Sequence, residues 1–261
     1  HEEMKPNELV IKWKYDDGDF YDKPFYLYRD NVLLDSISTG DLIIPDSTVV
    51  SDSLIYSYEI VTNEDCENQI ASAYHNNILL NVDFDENDKE NAEVIWNPYE
   101  NWTRGVEFYE LYMSVDGDAF KMIGDLSSSQ LSYTFTSSDL GFEHCFVVKA
   151  LENGGNNAYS WSNINCITFI PELYPYNIIT PNGDGKNDTF HIDNIEHYPN
   201  AELTIFNRWG KKVYQTREYM NNWGGLHNGQ ILPNSTYYYV LELNEPRSPD
   251  KTINGTVSIL K

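Results

Sequence analysis

Short runs that alternate apolar and polar residues, rich in Val, Ile, Tyr and Phe, recur about every ten residues between Gly, Asn, Asp and Ser turns. Stretches with the 3.6-residue period of a buried helix face are scarce. A chain patterned this way hides its apolar faces by stacking sheets, so the expected fold class is all-β, a tandem row of β-sandwiches. With 261 residues there is room for two or three of them. Disorder is excluded, because 41% hydrophobic and 14% aromatic residues are enough to build cores.

The order of the strands repeats. Val10-Ile11-Lys12-Trp13-Lys14-Tyr15 is echoed by Val94-Ile95-Trp96-Asn97-Pro98-Tyr99, with the tryptophans 83 residues apart. Tyr26-Leu27-Tyr28 returns as Glu110-Leu111-Tyr112, and Tyr58-Glu59-Ile60 as Phe146-Val147-Val148, at offsets of 84 and 88. Each copy therefore has an early Trp strand, a Leu-Tyr strand and a late aromatic strand. This arrangement resembles the fibronectin type III domain, which implies that Trp13 and Trp96 are the buried strand-B tryptophans and that Tyr58 and Phe146 lie on strand F. The expected domains are 1–76, which lacks a leading strand and so reads as a fragment, and 77–171, which starts with Ile78-Leu79-Leu80-Asn81-Val82.

Three cysteines are too few for a disulfide scaffold, and no pair of them makes a C-x-x-C motif. Cys145 and Cys166 lie symmetrically about the turn at Gly154-Gly155, which sets them opposite each other across strands F and G, within disulfide range. A bridge there implies an oxidising compartment and leaves Cys66 free or paired outside the chain; two buried thiols are the alternative.

After Pro171 the sequence becomes motif-dense. Thr180-Pro181-Asn182-Gly183-Asp184-Gly185-Lys186-Asn187-Asp188 is followed by Ile205-Phe206-Asn207-Arg208-Trp209-Gly210-Lys211-Lys212-Val213-Tyr214. Then come Trp223-Gly224-Gly225, Leu232-Pro233, Thr236-Tyr237-Tyr238-Tyr239-Val240 and the closing Thr256-Val257-Ser258-Ile259-Leu260-Lys261. Together and in this order they resemble the gliding-motility-associated C-terminal domain of Bacteroidota, the type B sorting domain of the type IX secretion system, over residues 172–261. Gly224 and Ser235 depart from that family, which has Asp and Gly at these positions.

The resemblance implies a third β-sandwich that directs export through the periplasm to the extracellular face of the outer membrane. The partners it implies are the outer-membrane translocon and its shuttle β-barrel, and extracellular glycans or other surface proteins are further candidates for the cargo domains. An exposed Arg-Trp turn has the composition of a docking hot spot. Asn207, Arg208, Trp209 and Gly210, with the final strand from Thr256 to Lys261, are therefore the candidate recognition residues.

Asn182, Asp184 and Asp188 stand at the alternate spacing of calcium ligands, but both terminal carboxylates of an EF-type loop are missing. The same residues also read as an Asn/Asp/Gly turn bonded to its own backbone. Calcium is the one cofactor that these residues suggest. Asp35-Ser36-Ile37, Asp46-Ser47-Thr48 and Asp52-Ser53-Leu54 match the O-glycosylation triplet of these bacteria, making Ser36, Ser47 and Ser53 candidate acceptors.

Catalysis finds no support. No nucleophile elbow, HExxH, phosphate loop or dinucleotide fingerprint is present, and the six histidines show no ligand spacing. The chain carries 41 Asp+Glu against 17 Lys+Arg, a formal charge of −24, which argues against nucleic acid and anionic membranes as partners. No apolar run approaches the roughly 18 residues of a spanning helix, and His1–Pro6 has neither a basic nor an apolar leader segment. The leading expectation is a non-enzymatic exported surface protein of a gliding bacterium, with spacer or adhesive domains ahead of a sorting domain. The rival is the C-terminal part of a secreted polysaccharide-active enzyme or a calcium-dependent carbohydrate-binding module.

Overall fold

The computed structural model describes residues 9–13, 24–37, 43–50, 53–63, 69–84, 91–136, 141–154 and 158–261. Cys66, Asp52, and the acidic turn after Phe84 lie outside the described residues. The protein is all-β, and its only described helical turn is a 3-10 segment at Ile195–His197.

The first copy pairs β1 (Leu9–Lys12) with β4 (Ile43–Asp46) in one sheet. Its other sheet runs β3 (Val32–Ile37), β2 (Phe25–Arg29) and β5 (Ser57–Asn63), with β6 (Gln69–Ala71) and β7 (His75–Asn76) both on β5. The second copy repeats the plan, with β8 (Leu80–Phe84), β9 (Asn91–Trp96) and β12 (Ser132–Thr136) in one sheet. Facing it are β11 (Lys121–Ser127), β10 (Val106–Val115) and β13 (Glu143–Glu152), which carries β14 (Tyr159–Trp161) and β15 (Asn165–Thr168). This is a tandem of fibronectin type III-like sandwiches.

Backbone detail repeats as faithfully as strand order. Both Leu-Tyr strands shift register at the same step, between Leu27 and Tyr28 and between Leu111 and Tyr112. Asp30 and Asp116, both at positive φ, each accept the strand-F N–H, from Ser57 at 2.9 Å and Glu143 at 2.9 Å. Ser72 and Ser162 each take the N–H of the matching strand-F residue, Ile60 and Val148, at 3.0 Å. Such side-chain caps fill backbone positions that the ladder leaves open.

Trp96 is buried and meets Tyr109 edge-on at 5.7 Å. Trp13 is half-buried, ending the first strand against Phe25. Residues on both sides of position 76 are tied together, with Tyr99 Oη 3.1 Å from His75 Nδ1 and Asn101 donating to the Tyr74 carbonyl at 2.6 Å.

Asp46 belongs to one of the Asp-Ser triplets, and its carboxylate is buried. It accepts from Arg29 at 2.8 Å, Tyr58 Oη at 2.9 Å and Thr48 Oγ1 at 2.7 Å. Burial opposes its ionisation, yet these hydrogen bonds and the Arg29 charge hold it below the usual carboxylate range. Its neighbour Ser47 is exposed, as are Ser36 and Ser53.

Cys145 and Cys166 are directly opposed on β13 and β15 and joined by a disulfide across 21 positions. Its solvent-side location means that the bridge acts by shortening the unfolded chain more than by filling a core. The double variant Cys145→Ser with Cys166→Ser is expected to lose about 3 kcal/mol. In a unit of this size that lowers the thermal midpoint by roughly 6–12 °C. Calorimetry measures it, and peptide mapping without reduction should recover this bridge and no Cys66–Cys145 peptide.

By contact density the chain divides into two compact units, residues 1–138 with 143–168, and residues 139–142 with 169–261. The second unit is built on a five-stranded sheet ordered β17 (Ile178–Ile179), β24 (Thr252–Ile259), β23 (Ser235–Glu242), β19 (Glu202–Phe206) and β20 (Lys212–Thr216). Two small two-stranded sheets accompany it, β16 (Tyr174–Pro175) with β18 (Ile192–Asp193), and β21 (Leu226–His227) with β22 (Gln230–Ile231). Its core gathers Leu203, Ile205, Leu241 and Val257 of the sheet with Phe190, Ile195, Tyr219 and Trp223 in one buried cluster. No described helix is long and apolar enough to cross a membrane.

Candidate functional site

The sheet register gathers the C-terminal motifs at one end of the second unit. Phe206 on β19 pairs with Tyr238, which pairs with Thr256 on β24. The turn after Phe206 and the stretch after Thr256 therefore leave the sheet on the same side. The β17 strand runs parallel to β24, with Ile179 beside Ile259, so the loop beginning at Thr180 emerges there too.

The turn itself is held from within. Asn207 Oδ1 accepts the N–H groups of Trp209 and Lys211, both at 3.0 Å, while Asn207 N donates to the Lys211 carbonyl at 2.9 Å. Gly210 sits at φ +77°, a conformation that costs glycine nothing. With the turn closed by Asn207, the Trp209 side chain contributes nothing to the core and stands 75% exposed. The Arg208 guanidinium lies 4.3 Å from its ring centroid, a cation–π pair displayed to solvent.

The final strand presents itself differently from an open edge. Val257 and Ile259 are buried, and Ser258 N and Leu260 N donate to the Asn177 and Ile179 carbonyls at 2.8 and 3.0 Å. What Thr256, Leu260 and Lys261 offer outward is side chains, because β17 has taken the backbone groups at Ser258 and Leu260.

The remaining motifs explain themselves as scaffold. Trp223 is buried, donates Nε1–H to the Leu226 carbonyl at 3.2 Å and accepts the Phe190 N–H at 2.8 Å. Gly225, at φ +70°, lets the chain pass so near the strand ends that an added Cβ would lie 3.0 Å from Ile259 and 3.3 Å from Ile179. In the Tyr run the two faces separate cleanly. Tyr237 and Tyr239 point into the core, while Tyr238 is 52% exposed on the outer face. Tyr237 Oη donates to the Pro233 carbonyl at 3.0 Å, and Leu232 N to the Gly225 carbonyl at 2.9 Å, which ties Leu232-Pro233 to both motifs.

The loop from Thr180 to Asp188 is a nest of backbone donors closed on its own carboxylates. Asp188 Oδ1 accepts from Asn182 N and Gly183 N at 3.0 and 2.8 Å, and Oδ2 from Gly185 N at 2.8 Å. Asn182 Oδ1 accepts Asp184 N at 3.0 Å, and Asp184 Oδ1 accepts Lys186 N at 2.8 Å. Pro181 leads into this nest, and Asn187 at φ +50° closes it, its carbonyl accepting Thr180 N at 2.7 Å. The oxygens that calcium would take also accept N–H groups of the loop, which is the bonding of a self-closed Asn/Asp/Gly turn.

Those N–H bonds, first from Gly183 and Gly185, hold the Asp188 carboxyl below the usual carboxylate range. A group depressed in the folded state lends stability above its unfolded pKa and loses it as pH falls through the folded value. The protection of the Gly183 and Gly185 amides, their exchange relative to an unstructured peptide at the same pH, is therefore expected to fall below about pH 4. Asp188→Ala should remove the pH dependence, and excess EDTA should leave the exchange unchanged; faster exchange on chelation would assign the loop to a cation.

The Tyr run reads in the sequence as a strand with one face in the core and an aromatic face outward, and Tyr238 is that outward member. Sequence reasoning missed Asn207 as the internal cap of the turn, which an Asn two residues before Trp209 could have suggested.

Residues 173–259 match the CHU_C type IX secretion signal domain family. A type IX secretion signal implies export to the cell surface or extracellular space and interaction with that secretion machinery. No match is found among curated proteins. Among solved structures, one similar chain is the tetra-tandem repeat in the extending region of a large adhesion protein, at 11% identity and TM-score 0.37. It covers 91% of this chain and 67% of that one. The FN1–FN3 domains of chicken CNTN1 match at 12% identity and TM-score 0.28, over 63% of each chain. Pectate lyase Pel3 from Pectobacterium carotovorum matches at 15% identity and TM-score 0.29, over 40% of this chain and 33% of that one. The chain thus spans about a third of the length of the pectate lyase chains it matches.

Proposed function

We propose that residues 172–261 are a folded export signal that the outer-membrane translocon and shuttle β-barrel of a type IX system read through the Asn207–Gly210 turn and the end of the last strand. The sandwiches at 1–76 and 77–171 are its cargo, non-enzymatic spacer or adhesive domains displayed on the surface of a gliding bacterium. The observation that carries this reading is the family match at 173–259, which covers the terminal domain and leaves both fibronectin-like copies outside it. The exposed Arg208–Trp209 pair supports the assignment of the turn, since a translocon serving many cargoes must read features shared by the signal domain and displayed outside its core. The exposure of Ser36, Ser47 and Ser53 is compatible with O-glycosylation of the cargo during export.

The test is a fusion of residues 172–261 to a periplasm-targeted fluorescent reporter in a bacterium with a working type IX system. Surface fluorescence sensitive to external protease is the expected result. A reporter retained in the periplasm, with the domain folded, would overturn the reading.

A further inference from the structure

Charge is distributed very unevenly along this chain. Residues 172–261 hold 10 Asp+Glu and 8 Lys+Arg, so they carry only −2 of the total −24, and the first 171 residues carry −22. Inside the terminal domain the sheet register places many of the charges at one end or the other. Lys186, Arg208, Lys211, Lys212 and Lys261 all emerge at the end that holds the turn and the Thr180–Asp188 loop. All five are exposed. Glu202 and Glu242 lie at the other end, flanked by Glu218, Glu245 and Asp250.

Asp184 and Asp188 share the loop of Lys186 and keep their charges while accepting backbone N–H groups of that loop. None of the five cations forms an ion pair with a carboxylate among the described residues. Lys212 donates to the neutral Gln215, and Arg208 stacks on Trp209. At the opposite end the cations are spent internally, Arg217 on Glu202 at 3.3 Å and Lys251 on the carbonyls of Glu245, Pro246 and Ser248. One end of the domain therefore carries net positive charge, five cations against Asp184 and Asp188, around an exposed tryptophan.

We propose that this end docks into an acidic groove of a partner protein, with Trp209 as the aromatic anchor and Arg208, Lys211, Lys212, Lys186 and Lys261 as its cationic rim. The proposal rests on the export reading and names the chemistry of the surface that reads the signal. A groove fits this pattern, since an aromatic side chain 75% exposed among cations is an anchor that a concave acidic site can enclose. Cations at the rim govern capture rate and salt sensitivity, and the buried aromatic governs residence.

The test uses the full chain behind a reporter in a type IX-competent bacterium. The near-end variant Arg208→Glu/Lys211→Glu/Lys212→Glu is compared with Arg217→Glu/Arg247→Glu/Lys121→Glu, which changes the net charge equally. Surface display should fall about tenfold or more for the near-end variant, with an unchanged thermal midpoint, and stay at the parental level for the control. If the glutamates unfold the domain, the Gln triple at the same positions replaces them and should still lose display. Equal display by the near-end and control variants overturns the proposal. So does binding of the parent, but not of the near-end variant, to phosphatidylglycerol vesicles at physiological salt, which would make the patch a lipid face. A chain ending at residue 171 that is displayed as well as the parent would instead overturn the export reading, and this proposal with it.

Discussion

Trp223→Ala is expected to destabilise the terminal domain by about 3–5 kcal/mol, the range for removing a buried aromatic. Trp223 is 1% exposed, and its ring lies 5.8 Å from that of Tyr214 and 6.4 Å from that of Tyr237. Truncation would open a void under the sheet and also leave the Leu226 carbonyl without its indole donor. Against a total stability of about 5–15 kcal/mol such a loss leaves the domain marginal or unfolded. Denaturant titration of the full chain should show an early transition for this unit, with the fibronectin-like unit unchanged. A variant that unfolds with its parent would mean that the motif tryptophan is dispensable to the core.

The contrast with Trp209 shows where the sequence stops being readable. Both tryptophans stand next to glycine in short motifs, and both are candidates for core or for contact. What separates them is long-range. Gly225 passes so close to Ile179 and Ile259 that the chain at Trp223 is drawn under the sheet, whereas Asn207 closes its turn locally and leaves Trp209 outside. Strand order, the tandem repeat and the facing cysteines were legible because period-2 alternation and turn symmetry are local rules. The backbone bonding of the Asp188 loop was not, since the same oxygens serve as cation ligands or as acceptors for N–H groups, and residue spacing alone does not choose. Asp46 makes the same point. A triplet that reads as an exposed modification motif hides a buried carboxylate, because its partners Arg29 and Tyr58 come from other strands.

The double variant Arg208→Ala with Trp209→Ala is expected to separate folding from export. Trp209 is 75% exposed, and its ring stacks on the neighbouring guanidinium, an exposed cation–π contact worth about 0.5–1 kcal/mol. The backbone of the turn does not depend on either side chain, because Asn207 and Gly210 hold it. The thermal midpoint should therefore move by no more than about 4–8 °C. A truncated anchor at the centre of an interface typically costs 2 kcal/mol or more, roughly thirtyfold in affinity, and display of a fused reporter should drop accordingly. Circular dichroism and surface fluorescence on the same variant decide the matter. If it unfolds, Trp209 is structural despite its exposure, and the turn's docking role is lost. If it folds and is displayed like the parent, recognition lies elsewhere on the domain. If the drop follows Trp209→Ala alone and Arg208→Ala affects display mainly at low salt, the aromatic anchors and the cation steers, the division of labour that the displayed Arg–Trp pair implies.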